Sequence, residues 1–277
     1  MTHGFAKETG LCASFLQCIP EGWTAYPETG GFDILLSRGG DGFQIGIEAK
    51  LRLNPDVIIQ AMEDRTWALS TGPQPDCRAV LVPSRAPLKL SPICAALGIT
   101  VIRMEDDLKY DSEGRVQWFG GARELVKLKC GSHRRPFGPR LPGETRYGTE
   151  SWFERCPERR IRLPDYIPDV VAGDKSPVAL TDWKIKAIKI AVTLEKRGFV
   201  TRQDFKHFKI SIQRWIDPYL AWLIKDGNGG WVAGAGIPDF KAQHPVNYDQ
   251  IAADYEEWKA PDPARQSNMF DKKDSKA

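Results

Sequence analysis

The chain has 277 residues, 42% hydrophobic and 27% charged, with a formal net charge of +3. That length supports two domains with cores of their own, and the hydrophobic share is ordinary for a globular protein. The near-neutral balance excludes a globally basic nucleic-acid binder, so any basic surface must be local. The six cysteines form no Cys-x-x-Cys pair and read as reduced thiols of a cytosolic protein. Cys130, His133 and Cys156 fit no common zinc spacing. No signal peptide and no apolar run of about 18 residues is present, so a soluble, cytoplasmic protein without membrane contact is expected.

In chain order, apolar residues at helical period predict a helix over 5–18, with Phe5, Leu11, Cys12, Phe15 and Leu16 inward. Glu8 lies on the same stripe, and two readings stay open for it: a solvated carboxylate near a helix N-terminus, or a carboxylate aimed inward. Trp23 to Glu28 reads as extended, with Pro27 marking an edge or an exit. Glu28 then stands on a loop five residues before Asp33, either as a solvated glutamate or as a reach toward a site. Gly31 to Leu36 reads as a strand carrying Asp33 among apolar neighbours, and 37–42 as turn chemistry. Phe43 to Leu51 alternates: Phe43, Ile45, Ile47, Ala49 and Leu51 share one face, Gln44, Gly46, Glu48 and Lys50 the other. At a rise of about 3.3 Å per residue, Glu48 and Lys50 stand roughly 6.6 Å apart and point the same way. A hairpin brings Asp33 close to both. Two carboxylates in a half-buried place repel unless a cation joins them; Lys50 supplies one charge and a divalent metal would supply the rest. The plain alternative is a surface hairpin with a Glu–Lys pair on its wet face, worth under about 1 kcal/mol.

Asn54 as N-cap and Pro55 at the first helical position open a helix expected to run to about Leu69. Gln60 is a polar residue beside its apolar set, either exposed or turned back to the site. Ala79 to Val82 is a buried strand, Leu88 to Leu97 a helix ending at Gly98, and Thr100 to Met104 another strand. The order helix, three strands, helix, strand, helix, strand argues an α/β fold with a mixed sheet covered by helices.

Over residues 5–105 this order, with Asp33 and Glu48-Ala49-Lys50, resembles the PD-(D/E)XK nuclease core of many restriction enzymes and Holliday-junction resolvases. The resemblance implies a restriction-endonuclease-like sheet in which Asp33 and Glu48 bind Mg²⁺ (with Mn²⁺ as a substitute) and Lys50 orients or activates the attacking water. It also implies a further acid from the first helix, which Glu8 matches in position, with Glu28 competing for that place, and a Gln in the following helix, which Gln60 matches. One departure is Phe32 where the family pattern has Pro.

Residues 111–176 change character. Arginines from Arg134 to Arg162 alternate with prolines, and Tyr147, Trp152 and Phe153 interleave. This reads as a linker or insertion that could also lie along a phosphate backbone. A second domain is expected over 177–260. Thr181 caps a helix over 182–197 that Gly198 stops, Thr201 to Asp204 opens a short helix, and Ser211 starts a third that Pro218 kinks or divides. A small hairpin follows near Trp231, then a helix from Tyr248 to Trp258. Three helices and a wing resemble a winged helix-turn-helix domain. The resemblance implies Gln213 and Arg214 in the major groove and Arg202, Lys206 and Lys209 near phosphates. A protein-contact winged helix or a plain helical bundle is the alternative. Residues 261–277 read as a disordered tail.

The expected function is a Mg²⁺-dependent DNA endonuclease, with DNA as partner and a homodimer or larger nucleoprotein assembly compatible with it. The alternative is a non-catalytic DNA-binding or assembly protein that keeps a nuclease-like fold.

Overall fold

The computed structural model describes residues 5–62, 72–105, 108–110, 116–118, 137–143, 152–174, 179–227 and 229–261. The chain divides into two units, Met1–Ala179 and Leu180–Ala277. The expected end of the second helix near Leu69, Cys130 and His133, the arginines at 134, 135 and 146, and the tail after 261 lie outside the described residues. No helix among the described residues is long and apolar enough to cross a membrane.

The first unit is an α/β fold. Helix α1 (Glu8–Leu16) buries Leu11, Cys12 and Phe15, the inward spacing of an amphipathic stripe. Strand β1 (Trp23–Thr29) pairs antiparallel with β2 (Phe32–Arg38). The two-residue turn between them holds Gly30 and Gly31 at φ +66° and +94°, as tight hairpin turns require. β2 pairs antiparallel with β3 (Gln44–Ala49). Helix α2 (Pro55–Met62) follows, its first turn capped by Asn54, whose Oδ1 accepts the Val57 N–H at 3.0 Å. Strand β4 (Cys77–Pro83), helix α3 (Ser91–Ala96) and strand β5 (Ile99–Met104) complete the alternation. β6 (Leu108–Tyr110) and β7 (Val116–Trp118) form a separate hairpin, and β8 (Phe137–Gly138) closes the main sheet. The six-stranded order is β1-β2-β3-β4-β5-β8, parallel at β3-β4 and β4-β5 and antiparallel elsewhere. β1 is an edge strand, which is where Pro27 is tolerated.

Every residue of β3 and β4 is buried, because helices cover both faces of a partly parallel sheet. Leu11 and Phe15 pack with Ile34, Ile45, Ile47, Leu81 and Ile102 on one face. Val57, Ile58 and Ala61 of α2 and Cys94 of α3 pack with Val80 and Val82 on the other. Gly46 leaves room for the Phe32 ring, which would lie 2.5 Å from a Cβ at that position. The residue preceding Asp33 is therefore fixed by aromatic packing instead of a proline ring.

The arginine-rich stretch, expected as linker or insertion, is in its described parts an integral piece of the first unit. Trp152 is buried and its Nε1 donates to the Arg140 carbonyl at 2.6 Å. Residues 155–161 run along the sheet margin: Arg155 N donates to Asp76 O at 2.8 Å, Gln74 N to Arg159 O at 2.9 Å, and the Gln44 side chain exchanges two bonds with the Ile161 backbone at 2.7 and 2.9 Å. Arg160 bridges the buried Asp76 carboxylate through Nε at 2.8 Å and Nη2 at 3.0 Å, and Asp76 also accepts the Gln44 N–H at 2.7 Å. Arg160 is thus committed to a carboxylate rather than to a phosphate. Asp76→Ala leaves the buried Gln44 N–H without its acceptor and takes two bonds from the Arg160 guanidinium, which keeps the Asp41 carbonyl. We expect it to cost about 2 kcal/mol, the penalty of a buried donor without an acceptor, read as a lowered denaturant midpoint with an unchanged m-value.

In the second unit, α4 (Asp182–Arg197) has the expected bounds. Thr181 Oγ1 accepts the Lys184 N–H at 3.2 Å, and Gly198 ends the helix at φ +86°. Helix α5 (Arg202–His207) opens with a Thr201–Asp204 capping box, and the buried Asp204 also pairs with Arg197. The expected third helix does not form: residues 211–220 are turns, and Leu223–Lys225 is strand β9, paired with β10 (Trp231–Ala233). Between the two strands, Asp226 N donates to Gly230 O at 3.2 Å and Gly230 N to Asp226 Oδ1 at 2.9 Å. Pro218 lacks the N–H that a continuing helix needs. Trp215, wholly buried, is held instead among Phe205, Trp222 and Phe240 at centroid distances of 5.5, 5.3 and 6.1 Å. The helix expected over 248–258 begins earlier and breaks once. After α6 (Phe240–Gln243), α7 runs Pro245–Ala253 and α8 Tyr255–Trp258.

Candidate active site

The β2–β3 register pairs Ile34 with Ile47, so the next position sets Asp33 across from Glu48, where opposite residues share a face. There the Asp33 carboxylate takes a backbone role: its Oδ2 accepts the Ala49 N–H at 2.7 Å. This ties the acid's orientation to the strand that carries Glu48 and Lys50. Burial pushes the Asp33 carboxyl up; the Ala49 N–H and Lys50 pull it down, and Glu8 pushes it up again, for a net rise. Glu48, in the middle of the sheet beside Val80, is 7% exposed.

Lys50 leaves β3 with its N–H on Leu81 O at 3.0 Å, extending the ladder to β4. Its Nζ meets Glu8 Oε2 at 3.0 Å, and both side chains are partly buried. Burial lowers the Lys50 affinity for its proton, but the Glu8 hydrogen bond and the charges of Glu8, Asp33 and Glu48 outweigh it. Lys50 is therefore a cation at neutral pH, matched to stabilising negative charge and not to acting as a neutral base.

Glu28 holds φ +49°, a left-handed conformation uncommon for a non-glycine residue. Its Oε1 accepts the Gly173 N–H at 2.8 Å. Gly173, at φ +73°, lies against α1: a Cβ there would stand 3.0 Å from Cys12 Sγ. Sequence reasoning gave Cys12 no role beyond the core. The Cys12 thiol is pushed far up, first by burial and then by Asp33, Glu28, Glu8 and Glu48. Contacts link these residues pairwise: Lys50 with Glu8, Asp33 with Ala49 opposite Glu48, and Glu28 with Gly173, which lies against Cys12. The signal for Cys12 was present in its spacing four residues after Glu8 on the same helical stripe. Of the competing acids, Glu8 engages Lys50 and Glu28 engages the strap at Gly173. Gln60 is on the exposed side of α2, and its side chain makes no hydrogen bond or ion pair among the described residues.

In the second unit, Arg202, Lys206, Lys209, Gln213 and Arg214 are exposed. The Arg202 guanidinium lies 5.9 Å from the Trp231 ring centre, and Arg214 lies 5.1 and 5.6 Å from Trp222 and Trp183. Gln213 and Arg214 sit on a turn instead of a helix.

Hard carboxylate oxygens from adjacent strands suit Mg²⁺, which binds through one or two carboxylates and keeps several waters. No group of three or more His, Cys, Asp or Glu among the described residues is arranged to hold a metal ion. Asp33 and Glu48 are the two carboxylates that lie opposite each other on these strands. Comparison of the chain with protein-family models, curated proteins and solved structures gives no match.

Proposed function

We propose that this protein is a Mg²⁺-dependent DNA endonuclease of PD-(D/E)XK type, hydrolysing phosphodiester bonds at the Asp33–Glu48–Lys50 region. The observation that carries the reading is the Asp33 carboxylate, opposite Glu48 in the strand register and fixed on the N–H of Ala49, next along the chain to the Lys50 that pairs with Glu8. Asp33 and Glu48 are the residues that would hold Mg²⁺, with Mn²⁺ as a substitute. The ion, when bound, supplies positive charge to phosphate oxygens and makes water a better nucleophile near neutral pH. Lys50, kept protonated, stands where negative charge builds on the phosphorus oxygens. Glu8 orients the Lys50 head, and the Ala49 N–H holds the Asp33 carboxylate against burial and the charge of Glu8. In this proposal the second unit is a DNA-binding element using Arg202, Lys206, Lys209, Gln213 and Arg214, without the recognition helix of a winged helix-turn-helix domain.

A second reading, a non-catalytic DNA-binding or assembly protein, is favoured by one observation. The Lys50 charge is already answered by Glu8. A panel of supercoiled, linear, gapped and branched DNA with Mg²⁺, Mn²⁺ or EDTA separates the two. Metal-dependent cleavage of any member supports the nuclease, and binding to the panel without cleavage supports the second reading.

Chemistry and affinity are divided between the units in this proposal. Removing residues 180–277 should weaken DNA binding and flatten its salt dependence, because each lost phosphate contact removes released counterions. Mg²⁺-dependent cleavage should persist at high enzyme concentration. Gel shifts at two salt concentrations check it, and a truncated chain that binds as tightly as the whole would refute the assignment.

A further inference from the structure

We infer that the Asp217–Ala221 turn of the second unit is a stacking knob for an unpaired base, so that the DNA bound is DNA carrying unstacked nucleotides. This rests on the DNA reading above and names its substrate class. Tyr219 is 98% exposed, yet the turn that carries it is rigidly built. Pro218 fixes one φ. Asp217 Oδ1 accepts the Tyr219 N–H at 2.8 Å, and the Asp217 carbonyl accepts the N–H groups of Leu220 and Ala221 at 3.2 and 3.1 Å. Ala221 turns the chain at φ +49°. Behind the turn, Gly236 N donates to Ala221 O at 3.0 Å and Gly234 N to Trp222 O at 2.8 Å. A Cβ at Gly236 would fall 1.8 Å from Leu220 O, and one at Gly234 2.1 Å from Ala221 O. Only glycines let this backbone lie against the base of the knob. Trp215 and Trp222, buried and edge to face at 5.3 Å, anchor its two ends.

An aromatic ring held in water by an ordered turn loses little conformational freedom on binding, which is how rigid aromatic anchors gain affinity. The charge of the chain segment that carries it indicates what it binds. Residues 180–225 carry ten lysines and arginines against four acids. All four acids are committed within the unit. Asp182 pairs with Lys186 at 2.6 Å, Glu195 accepts the Tyr248 hydroxyl at 2.9 Å, Asp204 is taken by Arg197 and Thr201, and Asp217 closes the turn. Lys196, Arg202, Lys206, Lys209 and Arg214 have no ion pair among the described residues. A polyanion with accessible π-faces complements this surface. In an intact duplex those faces are stacked away, whereas in a gap, bulge or single strand they are open to Tyr219.

The test uses the full chain in EDTA, with a paired duplex and the same duplex carrying an internal unpaired tract that contains 2-aminopurine. The wild type should bind the unpaired form more tightly and change its fluorescence. Tyr219→Ala, a substitution at a solvent-exposed position, should lose about tenfold on that form and nothing on the duplex, while Tyr219→Trp retains both. Equal binding by wild type and Tyr219→Ala, equal loss on both DNAs, or no wild-type preference would overturn the knob while leaving the DNA reading intact. A wild type that binds neither DNA would overturn the DNA reading and the knob with it. Loss of self-association by Tyr219→Ala in sedimentation, with DNA binding unchanged, would make the knob a protein contact and overturn the inference.

Discussion

Lys50→Ala is expected to lower Mg²⁺-dependent cleavage by about two to three orders of magnitude while leaving DNA affinity nearly unchanged. The size follows from removing one preorganised charge that acts where negative charge develops. The sparing of affinity follows from the place of Lys50, half-buried and already ion-paired to Glu8 in the free protein, so that it adds little to ground-state phosphate attraction. Because its proton is held more tightly than usual, deprotonation of Lys50 should set no basic limb on the activity profile near neutral pH. Glu8→Gln should be milder, since it frees the Lys50 head without removing its charge. Gel shifts and single-turnover cleavage on the same preparations separate the two effects.

Asp33→Asn is expected to abolish cleavage and yet raise the melting temperature of the metal-free protein at neutral pH. The sign follows from the raised Asp33 carboxyl. A group whose folded value lies above its unfolded value favours folding at low pH, and that contribution is lost as pH rises through the folded value. At neutral pH the ionised Asp33 therefore costs stability. An asparagine removes the charge and can still accept the Ala49 N–H. The variant's advantage should shrink as pH falls below the ordinary carboxylate range, where Asp33 is protonated. Mg²⁺ should raise the melting temperature of the wild type and not that of the variant. Thermal melts at neutral and acid pH, with and without Mg²⁺, check the sign. A variant less stable than the wild type at neutral pH would contradict it. The trade of stability for a charged site is common at functional positions.

Local signals in the chain were readable. Alternation over 43–51 gives β3, Asn54-Pro55 opens α2, and Thr181, Gly198 and the Thr201–Asp204 box bound α4 and start α5. These depend on residues within a turn or a hairpin of one another. The Asp33–Glu48–Lys50 grouping was readable for the same reason, since one hairpin register fixes it. The strap over 152–174 was not. Its arginines and prolines have the composition of a solvated linker, and what holds it is long-range: Arg160 with Asp76, Ile161 with Gln44, Gly173 with Glu28. The partner of Glu28 lies 145 residues away, where no local pattern can point. The third helix was misread because Ile212, Trp215 and Ile216 fall at helical spacing. Tertiary packing of Trp215 in an aromatic box, and the pairing of Leu223–Lys225 with Trp231–Ala233, override that spacing.

Nicking of supercoiled plasmid is the most direct measurement, with the wild type, Asp33→Asn and Lys50→Ala side by side in Mg²⁺ and in EDTA. Nicking by the wild type that EDTA stops and that both variants lose is the predicted result. Nicking of equal rate by all three proteins, or DNA binding by the wild type without nicking in either Mg²⁺ or Mn²⁺, would contradict a catalytic site at Asp33, Glu48 and Lys50.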